Sequence, residues 1–235
     1  MTMMFVELFV PKERFSAEEL SGLAARLTLG GLLEQYTALE SDAGTDSKVD
    51  VGADPSAEAP APASTPPAVL ALLESITHVV VHEVATWVVG GRPLDRNGPT
   101  RYFVRAYVPG RWRKELTGFL VTSITRALSQ AEGDSERLTR EPHAEVHVLG
   151  VPEGGYGAFG RSIGESDLLD MIHEAVGETV KPAPAGSALD PVCGMTVPIN
   201  DQAVSLELDG QTFYFCCGAC RRHFADQQDA ARLPG

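Results

Sequence analysis

Long apolar runs are missing from this chain. No stretch approaches the roughly 20 apolar residues that a membrane-spanning helix needs, so no membrane partner is expected. Clusters of Lys and Arg are missing too. Nineteen basic residues against 32 acidic ones leave a formal net charge of -13. That balance excludes the basic footprint of a nucleic-acid binder and repels anionic lipid surfaces. The opening Met1-Thr2-Met3-Met4-Phe5-Val6-Glu7 has no basic start, and Glu7 interrupts its apolar stretch. It does not read as a signal peptide, and a cytoplasmic location is expected. Cysteine is absent until Cys193, and all four copies then fall between Cys193 and Cys220. In a reducing compartment such clustering favours metal ligation over disulfides.

What is present is 43% hydrophobic residues in 235, enough for one ordinary core and a small second one. Two stretches lack the means to order themselves. Residues 41–67, acidic and rich in Ala and Pro, contain no aromatic side chain and read as a disordered linker. Residues 179–187, with two Pro and a Gly, read as a spacer. The remainder divides into a domain from 1–40 with 68–178 and a tail module, 188–235.

The first of these carries an internal repeat. Phe5-Val6-Glu7-Leu8-Phe9-Val10-Pro11 is dominated by apolar residues, as in a strand covered on both faces. Ser16 and Glu19 form a capping box for a helix whose stripe is Leu20, Leu23, Ala24 and Leu27, and Gly30-Gly31 is expected to end it. A short helix is predicted over Ala68–Ser75, and a β-branched strand over Thr77–Val84 that closes on Thr86–Arg92. The second copy repeats the order. It has a strand, Arg101–Pro109, and a helix from about Lys114 to Gln130 on Leu116, Leu120, Ile124 and Leu128. A strand, Ala144–Val151, then runs into Glu153–Arg161. Each strand pair should be parallel with a right-handed crossover. A last helix, Glu165–Val176, is expected to be capped by Ser162 and Glu165, with Leu168, Leu169, Met171 and Ile172 inward. The fold class is α/β (α+β): a tandem β-α-β domain plus a small Cys-rich hairpin–helix module.

In the tail, Asp209-Gly210 between alternating apolar residues is a hairpin turn. It returns the chain to Cys193 at Cys216, Cys217 and Cys220, where a short helix begins that should end near Phe224. Thiolates at a helix start are soft ligands of lowered pKa. A metal would also supply folding energy that so small a core lacks. The plainer alternatives are a purely structural zinc or four reduced, buried thiols.

Two resemblances follow. The tandem repeat, with its endings Trp87-Val88-Val89-Gly90-Gly91 and Glu153-Gly154-Gly155-Tyr156-Gly157-Ala158-Phe159-Gly160, resembles the tautomerase superfamily around 4-oxalocrotonate tautomerase and macrophage migration inhibitory factor. This implies a homotrimer. It also implies a catalytic N-terminal proline, but Met4 stands at that position with three residues before it, so no catalytic residue is assigned. Met4, Trp87, Arg105 and Tyr156 remain as a candidate pocket, with Arg92, Arg101 and Arg161 as further anion-binding candidates. In the plainer reading these aromatics pack at subunit interfaces and these arginines are solvated. His78 and His82 share a strand face and read as exposed.

The tail resembles the YHS domain of the TRASH-like group through Asp190-Pro191-Val192-Cys193-Gly194-Met195, Asp209-Gly210 and Phe213-Tyr214-Phe215-Cys216 with Cys220 and Phe224. The resemblance implies one metal ion per chain, Zn or Cu(I), on Cys193, Cys216 and Cys220. Cys217, where that family often has Ser, and His223 compete for a fourth position. The functional expectation is a metal-sensing, buffering or delivery protein on a trimeric, catalytically silent scaffold, with a protein partner for metal transfer. The alternative is an isomerase or decarboxylase of a small keto or unsaturated acid, regulated by the metal module.

Overall fold

The computed structural model describes residues 4–42, 65–95, 97–134, 136–158, 160–177 and 182–232. Most of the acidic linker, part of the 179–187 spacer and Phe159 lie outside the described residues. The chain opens with strand β1 (Met4–Pro11) and helices α1 (Ala17–Arg26), α2 (Leu29–Asp42) and α3 (Pro67–Ser75). Strands β2 (Thr77–Val84), β3 (Val88–Val89), β4 (Arg92–Pro93) and β5 (Tyr102–Pro109) precede helices α4 (Arg113–Ala131) and α5 (Arg137–Arg140). Next come β6 (Ala144–Val151), β7 (Tyr156–Ala158), β8 (Arg161–Ile163) and α6 (Glu165–Val176). The tail holds β9 (Ser187–Leu189), β10 (Thr196–Pro198), β11 (Val204–Leu208), β12 (Gln211–Phe215) and α7 (Gly218–Arg232). Among the described residues, no helix is long and apolar enough to cross a membrane.

The fold is α+β, and its chain divides into two compact units. The first contains β1 to α2 and β2 to β6. It is built on a four-stranded mixed sheet of order β2-β1-β5-β6. β1 runs parallel to β2, β5 runs parallel to β6, and β1 and β5 meet antiparallel. These are the two parallel pairs that the repeat predicts. Alternation sends Met4, Val6, Leu8 and Val10 of β1, and Tyr102, Val104, Ala106 and Val108 of β5, into the core at 0–1% exposure. Leu23, Leu27 and Leu32 of the first helices and Leu120, Ile124 and Leu128 of α4 are buried with them.

The opposite sheet face is different. The register places Phe5, Glu7 and Phe9 beside Tyr107, Arg105 and Phe103, and all six are only half-buried. The apolar content of β1 predicts a strand covered on both sides, but among the described residues only one side is buried. Val80 and Leu149 on the outer strands are 38% and 37% exposed. His82 lies on this face, stacked on Phe9 at 4.5 Å with Nε2 3.2 Å from Glu7 Oε1.

Two local expectations are corrected. Ser16 and Glu19 do cap α1 reciprocally, but Gly30-Gly31 begins α2 rather than ending α1, whose C-cap is Leu27. A Cβ at Gly31 would lie 2.6 Å from the Arg26 carbonyl oxygen, so glycine lets the two helices abut. α6 spans the predicted residues, yet Ser162 is not its cap. Its N-cap is Gly164, whose N–H donates to Asp167 at 2.8 Å, while Glu153 accepts from the Glu165 N–H at 2.9 Å. Ser162 donates instead to the Gly154 carbonyl.

The second unit contains α3, β7, β8, α6 and the whole tail. The Asp209-Gly210 turn joins β11 to β12, and both of its residues have positive φ, 51° and 78°, as the tightest hairpin requires. α7 does not stop near Phe224. It continues to Arg232, because Ala225–Arg232 contains neither Gly nor Pro and is rich in helix-forming residues.

Candidate metal centre

Three segments of the second unit converge. β9 and β10 are joined by a tight knuckle, Asp190 to Met195. The Asp190 N–H donates to the Met195 carbonyl, and the Gly194 N–H to the Asp190 carbonyl, each at 2.8 Å. Gly194 has φ +70°, which glycine adopts without strain, and a Cβ there would press on Val176 Cγ1 at 3.0 Å. Cys216 follows the last residue of β12, and Cys220 lies in the first turn of α7. Phe224 holds strand and helix together, its ring 4.8 Å from Phe213 and 5.5 Å from Phe215.

Asp190 is 1% exposed and ties the segments to one another. Its Oδ1 accepts from the N–H groups of Val192 (2.8 Å) and Cys193 (3.3 Å), and its Oδ2 from the Cys216 N–H (2.8 Å). A carboxylate has about four acceptor sites, and the Cys216 thiol also donates to this one. Around it, Cys193 Sγ is 3.5 Å from Cys216 Sγ, which is 3.7 Å from Cys220 Sγ. One donor atom each from Asp190, Cys193, Cys216 and Cys220 fall within 4.8 Å of one another. A tetrahedral ion with metal–sulfur bonds of about 2.3 Å sets its thiolates roughly 3.8 Å apart. The sulfur spacing therefore already matches such an ion. It is far too long for a disulfide bond of about 2.05 Å, and all four cysteines are free.

The electrostatics lead to the same chemistry. Hydrogen bonds from the Cys216 and Cys220 thiols pull Cys193 down to about 4. The same two donors, with the Cys220 and Ala219 N–H groups at the start of α7, pull Cys217 down to about 3. Cys216 is pushed up, as the thiol that keeps its proton beside these neighbours. Burial, and then the Cys193 thiolate, raise Asp190 to about 7 against the pull of its backbone donors. Cys220 is pushed up as well, so within the four-donor set the Cys193 thiolate is the favoured anion, and a bound cation would stabilise the ionised forms of the other donors.

The three cysteines expected from the sequence are brought together. The two candidates for the fourth position are not in the four-donor set. Cys217 stands beside it, half-buried, at the residue preceding α7. His223 is 6% exposed but turned to α6, with Nδ1 3.4 Å from Ser166 Oγ and Nε2 3.2 Å from Asp170 Oδ1. The fourth donor atom is from Asp190, which sequence analysis places only within the family pattern. An Asp three residues before a Cys, closing an Asx turn on the intervening backbone, was the available signal.

The candidate pocket residues separate. Trp87 and Arg105 line a cleft of about 420 Å³ in the sheet unit with Phe9, Arg101, Phe103 and His143. Arg105 lies over the Phe9 and Phe103 rings at 5.3 and 5.1 Å and 3.8 Å from Glu7. Met4 is buried at the head of β1 and is not in the cleft lining, and Tyr156 belongs to the other unit. Burial raises the Tyr156 hydroxyl to about 12. Arg161 pairs with Asp167 at 2.7 Å, and Arg92 is exposed on β4.

About two thirds of the chain aligns with a native fused 4-OT, at 16% identity and TM-score 0.41, covering 67% of this chain and 94% of that one. The macrophage migration inhibitory factor-like protein of Entamoeba histolytica aligns at 10% identity and TM-score 0.38, covering 68% and 99%. N1, a member of the cis-3-chloroacrylic acid dehalogenase family, aligns at 14% identity and TM-score 0.39, covering 68% and 82%. No curated protein matches the chain in sequence. Residues 188–230, which contain Asp190 and all four cysteines, match the family model of the YHS domain.

Proposed function

We propose that this protein binds one thiophilic metal ion per chain through Cys193, Cys216 and Cys220, and senses, buffers or delivers that ion in the cytosol from a homotrimeric scaffold lacking a catalytic proline. The observation that carries the reading is the spacing of the three sulfurs around a buried carboxylate. The chemistry of the donor set orders the ions. With Asp190 as fourth donor the set suits tetrahedral Zn²⁺; with Asp190 kept on its backbone amides, three thiolates suit Cu(I). Cys193 and Cys220 are buried while Cys216 and Cys217 are half-buried. A partner's thiol would therefore approach from the Cys216–Cys217 side. The half-buried sheet face of Phe5, Phe9, Phe103 and Tyr107 supports the trimer, since apolar side chains on a strand face favour a covering layer.

Native mass spectrometry of protein purified under reducing conditions tests both parts. The expected species is three chains carrying three ions, with the unfolding temperature rising with the logarithm of free Zn²⁺ once the site is filled. Protein without a bound ion after Zn²⁺ and Cu(I) have each been supplied would sink the metal reading.

The cleft lined by Arg101 and Arg105 supports a second reading, an isomerase or decarboxylase of a small keto or unsaturated acid, because a guanidinium group suits a carboxylate. Turnover of phenylpyruvate or 2-hydroxymuconate that falls at least about tenfold in Arg105→Ala is its expected signature. Turnover unchanged by that substitution would remove the cleft from consideration.

A further inference from the structure

The segment matching the YHS domain begins at residue 188, but the contacts that hold its ligand-bearing loops begin earlier, on α6. One stripe of that helix, Ser166, Asp170 and His173, follows the spacing at which side chains share a face. Each member reaches into the tail. His173 Nδ1 lies 3.3 Å from the carbonyl oxygen of Val192, the residue before Cys193. Ser166 and Asp170 engage the two ring nitrogens of buried His223, one helical turn after Cys220. Asp170 also accepts from Gln227 Nε2 at 3.3 Å, and Glu165, at the head of the helix, pairs with Arg222 at 3.4 Å. Val176 fills the space that a side chain at Gly194 would need, next to Cys193.

We infer that α6 is a working part of the metal centre. Its Asp170–His223 contact sets the position of the first turn of α7, which carries Cys220. Its His173 and Val176 set the position of the knuckle that carries Cys193. α6 residues act on the ion only through the segments they hold, as positioning residues, and metal occupancy is in turn transmitted to α6. Two of the three thiolates come from segments that α6 contacts. The separation of those segments is what the ion must find ready-made if binding is not to spend energy on ordering them. The inference rests on the reading of the cysteine cluster as a metal site and extends that site beyond the tail.

Two measurements on the full-length protein test it. Hydrogen exchange with and without Zn²⁺ is expected to show the amides of α6 slowing together with those of the 190–195 knuckle and the first turn of α7. The double variant Asp170→Ala/His173→Ala is expected to bind Zn²⁺ about tenfold more weakly, with Asp170→Asn alone keeping most of the affinity. Glu174→Ala, an exposed residue of the same helix, is expected to leave affinity unchanged. Tail amides that slow on Zn²⁺ addition while α6 exchanges as before, with full affinity in the double variant, would overturn the role of α6 and leave the metal site standing. Zn²⁺ that changes neither exchange nor stability in the parent protein would overturn the metal reading itself.

Discussion

Replacing Cys193 by Ser is expected to abolish stoichiometric metal binding while leaving the sheet unit folded. Cys193 Sγ stands 3.5 Å from Cys216 Sγ and is the one thiol contributed by the knuckle. Without it the remaining sulfurs, Cys216 and Cys220, lie four residues apart on one side of the site. The two thiols and one carboxylate that remain leave the site one protein ligand short of a closed tetrahedral set. The serine hydroxyl is a poor replacement, since it is harder and does not ionise near neutral pH. The expected loss exceeds the roughly 10–100-fold that removal of a group holding a ligand from behind costs. Competition against a chromophoric chelator measures it. Affinity within a few-fold of the parent would show that Cys193 is not a ligand. Cys217→Ser makes the complementary measurement, because Cys217 lies outside the four-donor set, and the expected change in affinity is much smaller.

Asp190→Asn is expected to be the most damaging change that keeps the shape of a side chain. Three backbone N–H groups converge on the carboxylate, two on Oδ1 and one on Oδ2. An amide has a single acceptor oxygen. Whichever way it turns, its NH₂ group faces an N–H that needs an acceptor, at a position only 1% exposed. A buried donor left unmet costs about 1–3 kcal/mol, and the Cys193 and Cys216 segments would also lose their common anchor. The metal-free variant is therefore expected to unfold at lower temperature than the parent. Its Zn²⁺ affinity should fall by about 10–100-fold even if Asp190 never touches the ion. Thermal unfolding of the metal-free protein together with a Zn²⁺ titration checks both. A D190N variant as stable and as tight as the parent would remove Asp190 from the architecture of the site.

Much of this molecule is legible from neighbouring residues. The strand at Phe5–Pro11, the Ser16–Glu19 capping box, the span of α6 and the Asp209-Gly210 hairpin all depend on groups a few positions apart, and all are present, although β1 alternates between a buried and a half-buried face where its composition predicts two covered ones. Cys193, Cys216 and Cys220 also meet: the hairpin returns Phe215 to Val204, and the knuckle between β9 and β10 brings Cys193 to the same end. Local rules mislead where a second partner competes. Ser162 has cap chemistry but spends its hydroxyl on the Gly154 carbonyl, and Glu153, twelve residues upstream of Glu165, satisfies that N–H instead. Gly30-Gly31 has stop chemistry, yet serves the close approach of α2 to the end of α1.

His223 shows most clearly where sequence reasoning stops. Three residues beyond Cys220 on a helix, it shares roughly the same face as that cysteine, and nothing local distinguishes a ligand from a bystander. Ser166 and Asp170, 57 and 53 positions earlier, claim its two nitrogens. The long strands, five of the seven described helices, the parallel pairs and a cluster of thiols follow from the residue string, because periodicity and turn chemistry are properties of short segments, whereas α2, α5 and the short strands do not. Four further features come from long-range packing: Asp190 lies with the three thiols, His223 faces Ser166 and Asp170, one face of the sheet is half-buried among the described residues, and α6 contacts the segments that carry Cys193 and Cys220. Each of these depends on which distant side chain reaches a polar group or surface first.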